Sequence, residues 1–280
     1  MAGSKKYAVV NVTAHPHPEG VYERIFRAAA DAKNGVRFYS NNFAMISPVS
    51  KVKDDVFTGS IGIWIEIDET SNVIKKESME ESLLADSDVR IPPEIGLDSK
   101  KFLFSFNVKT HTLYVEMSNA EKKTISPKRV AKAFDEVLSD TLPEEVEELA
   151  IQPKPEIDSI DRIFNLAAIK KVKIRIERPN PDDLSKDKKK VLEELNMMNA
   201  KSQTIEMSKA AGRPTLVLTS DMKVVSQVAA ENGYVKVEGK DVEGTKQSRS
   251  TNQYPRIIEK QIIGDSTDIT MIRTVARFDG

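Results

Sequence analysis

The chain opens on a nearly continuous apolar run, Tyr7-Ala8-Val9-Val10-Asn11-Val12, which predicts a strand. His15-Pro16-His17-Pro18 follows as a proline-punctuated loop. Val21, Ile25, Ala28, Ala29 and Ala32 then recur at helical spacing, and Asn34-Gly35 is the expected stop, with glycine supplying a left-handed residue. Residues 36–40 and 43–49 predict two short strands. Ile61, Ile63, Ile65 and Ile67 alternate with Gly62, Trp64 and Glu66, the period of a strand with one apolar face. Phe102 to Val108 and Thr112 to Glu116 flank Lys109-Thr110-His111 and read as a hairpin. Ser126-Pro127 opens a helix, with serine at N-cap and proline at N1, whose apolar face is Val130, Phe134, Val137 and Leu138.

The pattern changes over residues 142–155, which hold three prolines and the acidic pairs Glu144-Glu145 and Glu147-Glu148. A boundary is expected here, dividing a strand-rich domain of residues 1–145 from a second domain of residues 146–280. Residues 148–152 could already be the first strand of the second. Helices near 159–166, 184–199 and 220–232 then alternate with strands over 169–177, 204–208, 215–219 and 234–238. The polar, turn-rich stretch 239–254 reads as a long exposed hairpin. The expected fold is therefore α+β: a strand-rich N-terminal half with covering helices, then an α/β sandwich-like C-terminal half with a protruding basic hairpin.

Composition narrows the chemistry more than it identifies it. Among 280 residues there is no cysteine, so disulfides, thiolate nucleophiles and cysteine-ligated metal sites are excluded. No 18-residue apolar run and no apolar leader is present, so a cytoplasmic protein that makes no use of a membrane is expected. The phosphate-cradling patterns G-x-x-x-x-G-K-[ST] and G-x-G-x-x-G are missing, and no cofactor is expected. Gly59 and Gly62 read as glycines within a strand, at a bulge or a close-packing site.

The 42 Lys and Arg nearly cancel the 43 Asp and Glu, but the charges are segregated. Ten acids and one base, Lys154, lie between Asp135 and Asp161; nine bases and four acids lie between Lys170 and Lys190. Within the basic segment Lys171, Lys173, Arg175 and Glu177 fall on one face of a strand, with Val172, Ile174 and Ile176 on the other. Such a row can meet successive phosphates. Lys240, Lys246 and Arg249, with Lys236 and Arg256 nearby, spread a second basic element through the late hairpin, among Gln, Ser, Thr and Asn. Lys171, Lys173, Arg175, Lys240, Lys246 and Arg249 are thus candidate phosphate contacts, with duplex DNA as the favoured partner.

Two other readings stay open. In one, the acidic and basic segments are complementary surfaces of a non-enzymatic assembly protein, joining a homodimer or a partner protein encoded alongside it. In the other, His15, His17 and His111 bind a metal in a toxin enzyme. The acids Glu177, Asp182 and Asp183 read as the end of a strand and the start of a helix, where a helix dipole favours them.

Three segments carry a resemblance. Residues 11–17 (Asn-Val-Thr-Ala-His-Pro-His), 176–183 (Ile-Glu-Arg-Pro-Asn-Pro-Asp-Asp) and 231–239 are similar, in order and separation, to an uncharacterised bacterial family known only as a domain of unknown function. The second half is also faintly similar to the RexA component of a prophage exclusion system and the DNA-binding component of the Kiwa antiphage system. What that fainter likeness implies is DNA binding in bacterial antiviral defence. No catalytic residues come with either resemblance.

Overall fold

The structure, a computed structural model, describes residues 4–52, 55–181, 185–262 and 266–279. Asp182 and Asp183 lie outside the described residues. The mixed α+β fold is built on two antiparallel sheets, with a small extra hairpin of β6 (Asn72–Lys75) and β7 (Glu80–Leu83).

The large sheet is formed by β1 (Ser4–His15), β2 (Val36–Tyr39), β3 (Asn42–Ile46), β4 (Ser50–Val52), β5 (Val56–Ile65), β8 (Leu97–Asn107), β9 (Thr112–Glu116), β10 (Glu148–Pro153) and β15 (Ile257–Gln261). Its order is β10-β1-β9-β8-β5-β3-β2, with β15 continuing the β10 side of β1 and β4 pairing with β5. Helices α1 (Val21–Ala32) and α2 (Pro127–Ser139) cover one face, and α6 (Asp268–Phe278) covers part of the other. This explains the nearly continuous apolar run of β1. Ala8, Val10, Val12 and Ala14 enter the main core with Phe26, Phe104, Phe106 and Phe134, while Tyr7 and Val9 face Ile272 and Val275 of α6. A strand covered on both faces has no polar side to display.

The helix ends show what the sequence resolves and what it conceals. Ser126 caps α2 as expected, its hydroxyl accepting the N–H of Arg129. The left-handed residue after α1 is Lys33, at φ 49°, and not Gly35. Gly35 serves packing instead: a Cβ there would lie 2.5 Å from the Trp64 ring.

The second sheet contains β11 (Ala168–Glu177), β12 (Ser202–Ser208), β13 (Gly233–Lys240) and β14 (Lys246–Ser250), in the order β12-β11-β13-β14. Helices α3 (Ser159–Phe164), α4 (Lys186–Met197) and α5 (Ser220–Glu231) lie on one face. Ile163, Val191, Leu195, Val228 and Ala229 pack there against Val172, Ile174, Val235 and Val237.

Two expectations change at this level. The strand at 148–152 belongs to the first sheet, paired with β1 from Val10↔Pro153 to His15↔Glu148, and β15 and α6 also return to that sheet. The sheets therefore do not part at residue 145; the chain leaves the first after Pro153 and rejoins it at Ile257. Residues 215–219 form no strand. Ile169 N–H donates to the Thr215 hydroxyl and Leu216 N–H to the Ile169 carbonyl, so the segment crosses the end of β11 and passes into α5. Leu216 and Leu218 pack on the core from that crossing, which is why the stretch is apolar without belonging to a ladder. The polar hairpin is also less free than its composition suggests, because β14 is the edge strand of the sheet.

Candidate nucleic-acid interface

Antiparallel register decides which side chains share a face, because directly opposed residues point the same way. On the uncovered side of the second sheet, Lys173 stands between Glu206 and Lys236, and Lys171 between Ser208 and Glu238. Arg175 stands between Thr204 and Tyr234, and Lys240 opposes Lys246. Among the described residues this face carries six cations, Lys171, Lys173, Arg175, Lys236, Lys240 and Lys246, against three carboxylates, Glu177, Glu206 and Glu238. Both basic elements of the sequence therefore meet on one surface.

The carboxylates are already engaged. Lys171 pairs with Glu206 at 2.8 Å, Lys236 with Glu238 at 2.8 Å, and Arg175 with Glu177 at 3.2 Å. The hydrogen bond to Glu206 holds the Lys171 ammonium above its ordinary pKa, and the one from Lys236 holds the Glu238 carboxyl below its own. Lys173, Lys240 and Lys246 form no ion pair among the described residues. A surplus of three positive charges remains on a solvent-facing sheet.

Arg249 does not join them. It opposes Val237, which is fully buried on the helix-covered side. Its Nη1 donates to the carbonyls of Arg162 (2.9 Å) and Asn165 (2.8 Å), closing the C-terminal end of α3 where a cation satisfies orphaned carbonyls. Arg256 is likewise committed, to Asp279 at 2.8 Å. Tyr234, on the open face, has no counterpart in the residues picked out from the sequence; counting cations passes over an aromatic that the register places among them.

A second polar region joins the two sheets, and the three segments that carry the family resemblance meet there. Asn180 is the centre. Its Nδ2 donates to the Val12 carbonyl at 2.9 Å, and its Oδ1 accepts from Tyr22 Oη at 2.9 Å and Ala14 N–H at 3.4 Å. The amide thus pairs with the part of β1 that β9 no longer reaches, as a neighbouring strand's peptide would. Asn11 Nδ2 donates to Asn232 Oδ1 at 3.3 Å, and His15 Nε2 faces the Arg178 carbonyl at 3.3 Å. Gly233, at φ 144°, lets β13 start against β11, for a Cβ there would meet the Arg175 carbonyl oxygen at 2.0 Å. Desolvation lowers the pKa of His15, so the neutral ring donating from Nε2 is the favoured form.

The histidines do not converge as a metal triad. His17, Tyr22 and His111 form a ring cluster with centroids 5.1–5.2 Å apart, while His15 is directed to Arg178. No group of three or more His, Asp or Glu among the described residues could hold a metal ion. Among the described residues, three of the ten acids of the acidic segment pair within the chain: Glu145 with Arg24, and Glu156 and Asp158 with Arg162. Asp135, on α2, is half-buried; desolvation, then Glu136 and Glu177, push its carboxyl up to about 6.

The sequence profile of the domain of unknown function DUF4747 matches residues 4–277. The chain belongs to that family. The DUF4747 match runs across both sheets and takes in the junction where the three resembling segments lie. Comparison with curated proteins finds no match for the chain, and nothing found supports the fainter likeness to the RexA and Kiwa components. No helix among the described residues of this DUF4747 chain is long and apolar enough to cross a membrane.

Proposed function

We propose that this chain is a non-catalytic, cytoplasmic nucleic-acid-binding protein that holds duplex DNA on the open face of its second sheet. The observation that carries this reading is the convergence of six cations on an uncovered surface with only three carboxylates. Spacing supports it. Alternate residues along a strand are about 6.6–6.8 Å apart, close to the roughly 7 Å between successive phosphates of one DNA strand, which combines the 3.4 Å rise with the helical twist. Lys171, Lys173 and Arg175 can therefore follow a phosphate track, with Lys236, Lys240 and Lys246 on the neighbouring strands. Serine and threonine hydroxyls at the flanks supply donors to phosphate and sugar, and Tyr234 offers a ring to a sugar or base. A role in bacterial antiphage defence is part of the proposal and rests on the faint sequence resemblance alone.

Fluorescence anisotropy with a short DNA duplex at ~50 mM salt, repeated across a salt series, tests the reading. Each phosphate neutralised adds about −0.9 to the log–log salt slope. The expected slope is about −3 if the three ion pairs persist, and about −5 if phosphates displace the carboxylates. Lys171→Glu/Lys173→Glu should weaken binding by at least about tenfold. Absence of binding, or an unchanged affinity in that variant, would overturn the proposal. An RNA duplex and a single strand of the same sequence, run alongside, rank the partners.

A further inference from the structure

At the hairpin end of the basic face the surface sinks into a cavity of about 620 Å³. Four lysines line it: Lys170, Lys209, Lys240 and Lys246. Lys170 sits at the irregularity where β11 shifts register against β13, and Lys240 and Lys246 are directly opposed across the β13–β14 ladder. Like charges in that position repel. No carboxylate pairs with Lys170, Lys240 or Lys246 among the described residues, and Lys209 donates to the carbonyls of Ala210 and Arg213. The carboxylate in the lining, Glu238, is held by Lys236. Ile169 and Pro214 add apolar surface to the lining, and Ser248 and Gln247, whose amide donates to Asp241 Oδ2 at 2.8 Å, add polar side chains. A compact anion with three or four acceptor oxygens, attached to a flat or apolar body, matches that lining.

We infer that this cavity holds a phosphate monoester, either the terminal phosphate of a nucleic-acid strand lying on the open face or the phosphate of a free nucleotide. The inference rests on the nucleic-acid reading of that face and specifies where a strand ends on it. A monoester carries about 1.5–2 negative charges near neutral pH, against one for each internal diester, so a lysine cluster discriminates ends from interior. Lysine ammoniums suit the task as mobile point charges that close around a compact anion.

The probes are two labelled DNA duplexes, one with 5′-phosphate and one with 5′-hydroxyl ends, and a fluorescent adenosine monophosphate. The terminal phosphate should tighten duplex binding about 5–10-fold at low salt. In Lys240→Glu/Lys246→Glu both duplexes should bind more weakly and the ratio between them should fall to about one. Lys173→Glu should weaken both while leaving the ratio as it was. The milder Lys240→Gln/Lys246→Gln, with a melting curve for each variant, separates lost charge from lost fold. Nucleotide binding that disappears in the Lys240/Lys246 variants, without discrimination between duplex ends, assigns the cavity to a free nucleotide. Equal affinity for both duplexes together with no nucleotide binding overturns the inference. If a duplex still binds in that case, the face reading stands alone. If nucleotide binds while neither duplex does, the face reading fails and the cavity remains.

Discussion

The junction between the sheets and the open face of the second sheet are both polar, yet only the junction closes its polar groups within the chain. Asn11, Asn180 and Asn232 are each at most 5% exposed, and each makes hydrogen bonds to main chain or to one another. On the open face, opposed lysines stand at 173/236 and 240/246, and three ammoniums have no counter-ion among the described residues. Buried polar groups must be satisfied or they cost stability. Exposed cations carry no such demand, and on the proposed reading the six on this face serve a ligand. Polarity in the first region specifies how two sheets dock; in the second it is available to a ligand.

The sharpest way to break this contrast is at Asn180. Asn180→Ala leaves the Ala14 N–H without its partner in a dry site, while the Val12 carbonyl and the Tyr22 hydroxyl each lose one bond and keep the 3.1 Å bond to each other, at about 1–3 kcal/mol for the unsatisfied N–H and about 0.5–1.5 kcal/mol for each bond lost. A loss of about 2–4 kcal/mol in urea unfolding is expected after partial relaxation. A loss under about 1 kcal/mol would mean that water replaces the amide, and that the junction is not the closed region described. Duplex affinity of the folded fraction should change little, since Asn180 lies off the open face.

How much of this was legible in the sequence follows from what each feature depends on. The covered β1 and the two-faced β11 were readable, because burial on two faces or one leaves a local signature in the order of side chains. The return of β10, β15 and α6 to the first sheet was not, since a strand's partner is a long-range fact that no local period encodes. Arg249 departs from the expected face for a subtler reason. Its side of the sheet depends on the register Lys240↔Lys246, set by the turn in which Asp241 Oδ1 accepts the N–H groups of Glu243 and Thr245. A one-residue slip there would reverse every face in β14. Asn180 had a signal, the proline on either side, but a sequence does not say which amide will be buried. Gly35 follows Asn34 as a helix stop should, but what demands glycine there is the Trp64 ring, which meets it only through the fold.

That glycine supplies the next test. Gly35→Ala puts a methyl into the indole of Trp64, and overpacking of this kind costs about 1–3 kcal/mol. Gly35→Ala combined with Trp64→Phe should recover part of the loss; no recovery would point to backbone conformation in place of contact. A smaller effect is expected at Asp135, beside the open face's Glu177. Its folded pKa of about 6 lies above the ordinary 3.8, so the folded state binds the proton more tightly. Its contribution is full below about pH 4 and is lost as pH rises through about 6. Asp135→Asn should therefore stabilise the protein at pH 7–8, on the order of 1–2 kcal/mol after allowance for partial solvent access, with little change at pH 4. Urea midpoints of the two proteins that differ equally at both pH values would remove Asp135 as the cause.

The smallest expected change in stability is the one that most sharply separates the two regions. Lys173 has Glu206 opposite on one side and Lys236 on the other, and Glu206 is already bonded to Lys171. Attraction and repulsion across the ladder nearly cancel, so Lys173→Gln should alter unfolding free energy by no more than about 0.5 kcal/mol. The same substitution removes a cation from the centre of the proposed phosphate track, and should weaken duplex binding several-fold while making the salt slope shallower by about 0.9. A residue that binding needs and folding ignores is what a ligand surface requires. If Lys173→Gln moved stability by more than about 1 kcal/mol and left the salt slope untouched, the open face would be a structural surface like the junction.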